Sequence, residues 1–220
     1  MNHQFPKALF FDFDGVLADS VSIKTDAFRD LFRKYGDEVV REIIEYHRLH
    51  GGISRVEKIR YAFEEIMKVP LSAEEHTRLS QHYSKMVLDK VVCADWIPGA
   101  QGFLEKYYTA LQIFVISGTP EDELKLVLNR RNMDHYFSEV LGSPVKKPVH
   151  VRNLLAKYNL VPQQCVFIGD ALTDYDAAIE TGLHFVGIQG SVQFTRGTVV
   201  LQDCTELAEA LSLPPVSLPS

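Results

Sequence analysis

A chain of 220 residues, 46% hydrophobic and 24% charged, is typical of a folded globular protein and excludes wholesale disorder. The 23 basic and 29 acidic residues give a net charge of −6, which disfavours binding to nucleic acid or to an anionic membrane surface. No apolar run approaches the roughly 18 residues of a membrane-spanning helix, and the N-terminus has no signal-peptide pattern, so we expect a cytoplasmic protein.

Short apolar runs predict the buried strands of a parallel sheet. They lie at 8–11, 113–116, 140–141, 166–168 and 185–188. The runs lack the polar alternation of a strand with one solvated face, so both faces of each strand should be covered. Helical patterns lie between them, and Thr119-Pro120 followed by two carboxylates predicts one helix start. Alternating strands and helices predict an α/β fold with a doubly wound parallel sheet.

Residues 17–93 differ from the rest, because they have helical periodicity and no convincing strand. Apolar residues recur at the spacing of one helix face at Phe28, Leu31, Phe32 and Tyr35. This segment holds 13 basic and 13 acidic residues, so the whole net charge of −6 lies outside it. We therefore predict a helical cap of residues 17–93, an α/β core of residues 1–16 and 94–213, and a flexible tail of residues 214–220.

Polar side chains follow four of the predicted strands. They are, in chain order, Asp12 and Asp14, then Ser117 and Gly118, then Lys147, and finally Asp170 and Asp174. Because the carboxyl ends of parallel strands meet at one edge of the sheet, we expect these residues to share one crevice. Clustered carboxylates repel one another unless a cation intervenes, and a set of oxygen ligands favours Mg²⁺.

Such a crevice is suited to phosphoryl transfer. One carboxylate can attack phosphorus and form an aspartyl-phosphate, while Asp14 can protonate the leaving oxygen and later take a proton from water. Ser117 can donate to phosphate oxygens, and Lys147 supplies positive charge to the same group. Each element alone is a weak signal, and we interpret Asp174-Tyr175-Asp176 as a second Asp-x-Asp on a helix surface. The order and the separation of the four elements along the chain make the complete set a strong signal of phosphoryl transfer.

The run Phe11-Asp12-Phe13-Asp14-Gly15-Val16-Leu17-Ala18-Asp19-Ser20 resembles the first motif of the haloacid dehalogenase-like hydrolase superfamily. The resemblance covers about residues 7–212 and is to the form with a helical cap after the first strand. It implies that Asp12 is the nucleophile and Asp14 the general acid/base. It also implies that Ser117 binds phosphate and that Lys147, which directly precedes a proline, is the motif lysine, with Lys146 as the alternative.

The same resemblance implies a Mg²⁺ site. Asp170 would bind the ion directly together with Asp12, Asp174 would lie close by, and the backbone carbonyl of Asp14 would complete the protein ligands. Dehalogenases and phosphonatases of this type generally lack an acid at the position of Asp14, so its presence favours hydrolysis of a phosphate ester.

The cap loop 50–58 is similar to the substrate loop of β-phosphoglucomutase-like members. By this resemblance Arg55 would hold a substrate phosphate, and Gly52 would allow a close approach of the backbone. The alternative is a helix–helix turn with Ser54 as N-cap and Arg55 in solvent. Gly51 and Lys24 stand where those members carry a lysine and a histidine, and Gly169 replaces an acidic residue, which weakens a mutase interpretation.

We therefore expect Mg²⁺-dependent hydrolysis of a small phosphate monoester, such as a sugar phosphate or similar metabolite. The alternatives are a β-phosphoglucomutase-like phosphosugar mutase and a catalytically silent phosphate- or partner-binding module. The expected partner is a small phosphorylated metabolite, and the sequence indicates neither nucleic acid, nor a membrane, nor an obligate protein partner.

Overall fold

The computed structural model describes residues 5–215, so residues 216–220 of the predicted tail lie outside the described part. Within it a parallel sheet is formed by β1 (Ala8–Phe11), β2 (Gln112–Pro120), β3 (Glu139–Ser143), β4 (Cys165–Gly169), β5 (His184–Ile188) and β6 (Val199–Leu201). The strand order is β3-β2-β1-β4-β5-β6. The order reverses beside β1, and ligands bind at this switch point in doubly wound sheets.

Both faces of β1 are covered, as its uninterrupted apolar sequence predicts. Leu9 and Phe11 point to one side and join the larger hydrophobic core, whereas Ala8 and Phe10 point to the other side and join the second core. Side chains alternate between the two faces of a strand, so four consecutive apolar residues can be buried only between two layers. The α/β, doubly wound prediction is confirmed.

The insertion after β1 is helical. It contains α1 (Val21–Phe32), α2 (Asp37–Leu49), α3 (Arg55–Tyr61) and α4 (Ala73–Val92). Phe28 of α1 packs on Tyr83 of α4 with ring centroids 4.6 Å apart. Ser72 caps α4 by accepting a hydrogen bond from the Glu75 N–H, because the first turn of a helix leaves its N–H groups without partners.

Two short connections join this cap to the sheet, and they run side by side. The Ile97 N–H donates to the Leu17 carbonyl over 3.0 Å, and the Asp19 N–H donates to the Asp95 carbonyl over 2.9 Å. The two connections together form a short hydrogen-bonded hinge at the root of the cap. The exact limits of the cap, 17–93, stay a prediction.

The helices that cover the sheet are α5 (Ala100–Tyr107), α6 (Glu121–Arg130), α7 (Lys147–Lys157), α8 (Leu172–Thr181) and α9 (Leu207–Ala210). The predicted start of α6 is wrong by one residue, because Thr119 and Pro120 continue β2 and the N-cap is Pro120 instead of Thr119. Tyr35 lies beyond α1, in a 3₁₀ turn. The sequence reasoning missed β6, a half-exposed edge strand of three residues without a continuous buried run.

Candidate active site

The residues that follow the strands converge at the carboxyl edge of the sheet. Asp12 leaves β1 with its N–H donating to the Ile168 carbonyl of β4 over 2.9 Å. Ser117 lies within β2, Lys147 opens α7, and Asp170 directly follows β4. The crossover topology therefore brings together residues from distant parts of the chain, as the parallel order predicts.

Three carboxylates and one ammonium form the centre of the site. One carboxylate oxygen each of Asp12, Asp170 and Asp174 lies within 4.8 Å of the others. Lys147 Nζ lies 2.5 Å from Asp174 Oδ1 and 3.0 Å from Asp12 Oδ1. The Lys147–Asp12 approach lacks hydrogen-bond geometry, so the buried Asp12 Oδ1 makes no hydrogen bond within the described residues.

This cluster carries more negative charge than Lys147 neutralises. Burial raises the pKa of Asp12 to about 7, Lys147 opposes the rise, and the charges of Asp174 and Asp14 add to it. Burial, together with the charges of Asp12 and Asp174, also raises the pKa of Asp170 well above its ordinary value. Buried carboxylates of this kind are stable as anions only beside a further cation.

The donor set fits a hard divalent cation. All three side chains offer carboxylate oxygens, and the buried Asp12 oxygen without a hydrogen bond is free to accept one more positive partner. The absence of a side chain at Gly15 leaves room for the Asp170 carboxylate, since a Cβ on Gly15 would come within 2.4 Å of Asp170 Oδ2. Mg²⁺ suits such a set, because it prefers oxygen ligands and retains positions for water and phosphate.

Asp14 is held apart from this cluster by its own set of donors. Its carboxylate accepts hydrogen bonds from Lys24 Nζ over 2.5 Å, Ser20 Oγ over 2.6 Å and Thr119 Oγ1 over 3.3 Å. Burial alone would raise the pKa of Asp14, but the Lys24 ammonium and these hydrogen bonds outweigh burial and hold the pKa below its ordinary value. The Ser117 hydroxyl also points at Asp14, with 3.4 Å between the oxygens.

Sequence reasoning missed the role of Lys24, Ser20 and Thr119 around Asp14. One available signal was position, since Lys24 lies four residues before Phe28, on the inward face of α1. The contact from Lys24 Nζ to Thr119 Oγ1, over 2.7 Å, spans cap and core and has no local sequence signature.

The cap loop rests directly on the core at two glycines that we predict to bind substrate. A Cβ on Gly118 would lie 2.2 Å from the Gly52 carbonyl oxygen, so only glycine permits this approach. The Thr173 hydroxyl donates to the Gly51 carbonyl over 2.9 Å. These contacts hold the cap over the strand ends in a closed arrangement.

Arg55 contacts the core rather than solvent. Its Nη1 and Nη2 donate to the two carboxylate oxygens of Glu123 in α6, over 2.8 and 2.6 Å, and Ser84 donates to the same carboxylate. The two charged side chains are only 10% and 9% exposed. Ser54 is the N-cap of α3, as the helix–helix turn alternative proposes, but the solvated Arg55 of that alternative is wrong.

A cavity of about 80 Å³ lies between the cap and the carboxyl edge of the sheet. Its core wall includes Asp12, Asp14 and Ser117, and its cap wall includes His47 and Lys58. Lys58 is 3% exposed, and its Nζ lies 2.8 Å from His47 Nδ1 and 3.3 Å from the His47 carbonyl oxygen. Sequence reasoning did not single out Lys58.

A doubly wound sheet with carboxylates at its switch point and a helical cap after the first strand defines a class of capped α/β hydrolases. The family model described as haloacid dehalogenase-like hydrolase matches residues 9–188. The chain belongs to this family, and the resemblance given by its first motif is confirmed.

Known relatives include a phosphorylated carbohydrates phosphatase of Thermotoga maritima, which is 25% identical over 93% of this chain and 98% of its own length. A phosphoglycolate phosphatase of Psychrobacter arcticus is 29% identical over 82% of each chain. Among solved structures, a β-phosphoglucomutase of Clostridium difficile has a TM-score of 0.74 and 23% identity, covering 92% of this chain and 93% of its own, which shows the shared fold.

The family and these relatives identify the chain as an enzyme, a phosphatase of the haloacid dehalogenase-like type.

Across residues 5–215, none of the helices combines the length and hydropathy needed to cross a bilayer.

Proposed function

We propose that this phosphatase hydrolyses small phosphate monoesters in a Mg²⁺-dependent reaction that passes through an aspartyl-phosphate at Asp12. The observation that carries the proposal is the convergence of Asp12, Asp170 and Asp174 within 4.8 Å beside Lys147. In this proposal the core comprises residues 1–16 and 94–213 and provides the chemistry, while the cap of residues 17–93 covers the substrate.

Asp12 acts as the nucleophile. Its carboxylate oxygen attacks phosphorus, and the bond from phosphorus to the ester oxygen breaks, which leaves the phosphoryl group on Asp12 and the alcohol as leaving group. In the second half of the reaction a water oxygen attacks the same phosphorus, and inorganic phosphate departs as the Asp12 carboxylate is restored. The sum is hydrolysis of one ester bond by one water.

Asp14 moves the protons of both steps. It gives a proton to the leaving ester oxygen and later takes one from the attacking water. The lowered pKa of Asp14 favours its ionised form, which suits the base role. For the acid role Asp14 must first gain a proton, and the proton-bearing groups in contact with it are Lys24, Ser20 and Thr119.

The remaining site residues bind the charged groups. Ser117, the Gly118 N–H and Lys147 hold the phosphate oxygens of the substrate. Asp12, Asp170 and Asp174, with the backbone carbonyl of Asp14, would hold Mg²⁺. When bound, Mg²⁺ supplies positive charge that offsets the negative charge of the phosphoryl group and of the nucleophile.

Relatives support small phosphorylated metabolites as the substrate class. Their names specify phosphorylated carbohydrates, phosphoglycolate and 6-phosphogluconate. In the mutase alternative Arg55 would hold a substrate phosphate, but its guanidinium is already paired with Glu123. Product analysis with a β-hexose 1-phosphate separates the two, since a phosphatase releases inorganic phosphate and a mutase gives an isomeric hexose phosphate.

The nucleophile is tested with Asp12→Asn on a generic aryl phosphate in the presence of Mg²⁺. We expect turnover to be abolished, because an amide oxygen is a poor nucleophile towards phosphorus. Asp14→Asn should lower kcat more than it changes substrate binding. The matched control is Asp176→Asn, the same chemical change at an exposed position of α8. Near-normal kcat in Asp12→Asn would refute the proposed mechanism.

A further inference from the structure

Lys58 is a buried cation without a buried anion beside it. It projects from α3 into the cavity shared with Asp12, and it is 3% exposed. Its hydrogen-bond partners are the ring and the carbonyl of His47, and the Phe28 ring centroid lies 5.9 Å from Nζ. All of these partners are uncharged groups or neutral rings, so they offset only part of the free energy that desolvation of an ammonium costs.

The other cations of the cavity are already neutralised or solvated. Lys24 pairs with Asp14, and Arg55 pairs with Glu123. Lys147 pairs with Asp12 and Asp174 in the centre of the site, and Arg48 is exposed to water. Lys58 makes no ion pair with any residue of the described chain, so among the cations that line this cavity it is the buried one that lacks a counter-charge.

The electrostatics of the cap wall favour an incoming anion. Burial and the nearby Lys24 charge together lower the pKa of Lys58 to about 7, although the charges of Asp14, Asp170 and Glu57 oppose the change. Burial and the charge of Lys58 lower the pKa of His47 to about 3, so His47 is neutral and accepts a hydrogen bond from Lys58. A negative group placed here would stabilise the ammonium form of Lys58.

We infer that Lys58 recognises a second anionic group, a carboxylate or a second phosphate, on the leaving group of the substrate. This inference rests on the proposed function, because it assumes that the first phosphate lies against Asp12 and Lys147. The core wall then binds the phosphate that is cleaved, and the cap wall binds the anion that stays on the product.

A matched series of short substrates tests the inference. The three members are 2-hydroxyethyl phosphate, 2-phosphoglycolate and 1,2-ethanediol bisphosphate, which differ only in carrying a hydroxyl, a carboxylate or a phosphate at the far end. With the wild-type enzyme and Mg²⁺, kcat/KM for at least one charged member should exceed that for the hydroxyl member tenfold or more. The preferred charged member identifies the anion as carboxylate or phosphate.

Lys58→Met removes the charge and keeps most of the buried side-chain volume. We expect it to reduce the preference for the charged member at least tenfold, mainly through KM, because the lost contact is to a part of the substrate that does not react. Lys58→Gln serves as a second variant if Lys58→Met does not fold. The matched control is Lys85→Met, an exposed lysine of α4, which should keep the wild-type preference.

Equal kcat/KM for all three substrates in the wild-type enzyme would overturn the role of Lys58, and so would an unchanged preference in Lys58→Met. These results leave the proposed function intact, since phosphate is still released. Absence of phosphate release from every member and from an aryl phosphate would instead overturn the proposed function, and this inference with it.

Discussion

Replacement of Asp12 by Asn should stabilise the metal-free protein while it removes the proposed nucleophile. Asp12 is 2% exposed and lies within 4.8 Å of two further carboxylates, so both the loss of solvation and the repulsion between the carboxylates destabilise its negative charge. Such strain is typical of a site built for a ligand that supplies the missing positive charge. Asn has nearly the same shape as Asp and carries no charge, so the substitution tests the electrostatics alone.

The magnitude follows from the pKa of Asp12, which rises from 3.8 to about 7. A difference of about 3 pKa units corresponds to about 4 kcal/mol at most, since each unit is worth about 1.4 kcal/mol. This figure already includes the opposing attraction of Lys147 and is an upper bound, so we expect a net gain of about 2 kcal/mol in the free energy of unfolding. For a chain of this size that gain raises Tm by about 4–8 °C.

The direction of the pKa shift of Asp12 determines how the stability gained by Asp12→Asn depends on pH. The folded-state pKa of Asp12 lies above the unfolded value, so the folded state binds the proton more tightly and loses stability as pH rises from about 4 to about 7. The cost of the charge is fully present above pH 7 and absent below pH 4. The gain from Asp12→Asn should therefore be largest at pH 8 and should disappear at pH 4.

The assay is thermal unfolding of the wild type, of Asp12→Asn and of the exposed control Asp176→Asn, at several pH values with a chelator and then with Mg²⁺. Mg²⁺ should raise Tm of the wild type more than that of Asp12→Asn, because binding to the folded state alone stabilises it. If Asp12→Asn has the same or a lower Tm than the wild type at pH 8 without Mg²⁺, the electrostatic reasoning is refuted.

Two further substitutions test other parts of the site. Lys147→Met removes the cation beside Asp174, which is 0% exposed, so Tm should fall by the equivalent of about 3–5 kcal/mol at pH 8. The loss should become smaller as pH falls, because burial raises the pKa of Asp174 and a protonated Asp174 needs no cation. Thermal unfolding at pH 8 and at pH 5 checks this, and an equal loss at both would contradict it. Gly118→Ala places a Cβ 2.2 Å from the Gly52 carbonyl oxygen, so kcat/KM for an aryl phosphate should fall at least tenfold while Tm changes little; unchanged steady-state kinetics would show that the cap need not seat on Gly118.

Local patterns were sufficient to predict the sheet and the order of the polar groups along it. A strand buried on both faces must be apolar throughout, so the apolar runs at β1, β2, β4 and β5 predict these strands from the sequence alone. The half-exposed β6 had no such run and was missed. The Pro and carboxylates after Thr119 predict that it is the N-cap of a helix, but β2 extends through Thr119 to Pro120, which pairs with Ser143 of β3.

The partners of the charged residues could not be predicted in this way. Arg55 could face substrate, solvent or the core, and only the closing of the cap onto α6 placed it against Glu123, 68 positions away. Likewise, Lys24 meets Thr119 across 95 positions, and no periodicity connects two residues so far apart.

The amino-acid sequence by itself determined the doubly wound sheet, the helical insertion and the acidic groups at the strand ends, because each depends on which residues a strand or helix can bury. Only the tertiary structure decided which cations of the cap are paired and that Lys58 is buried against the cavity without a counter-charge. The reason is that the cost of a charge depends on its burial and its neighbours, and both are set by how the cap and the core close on each other.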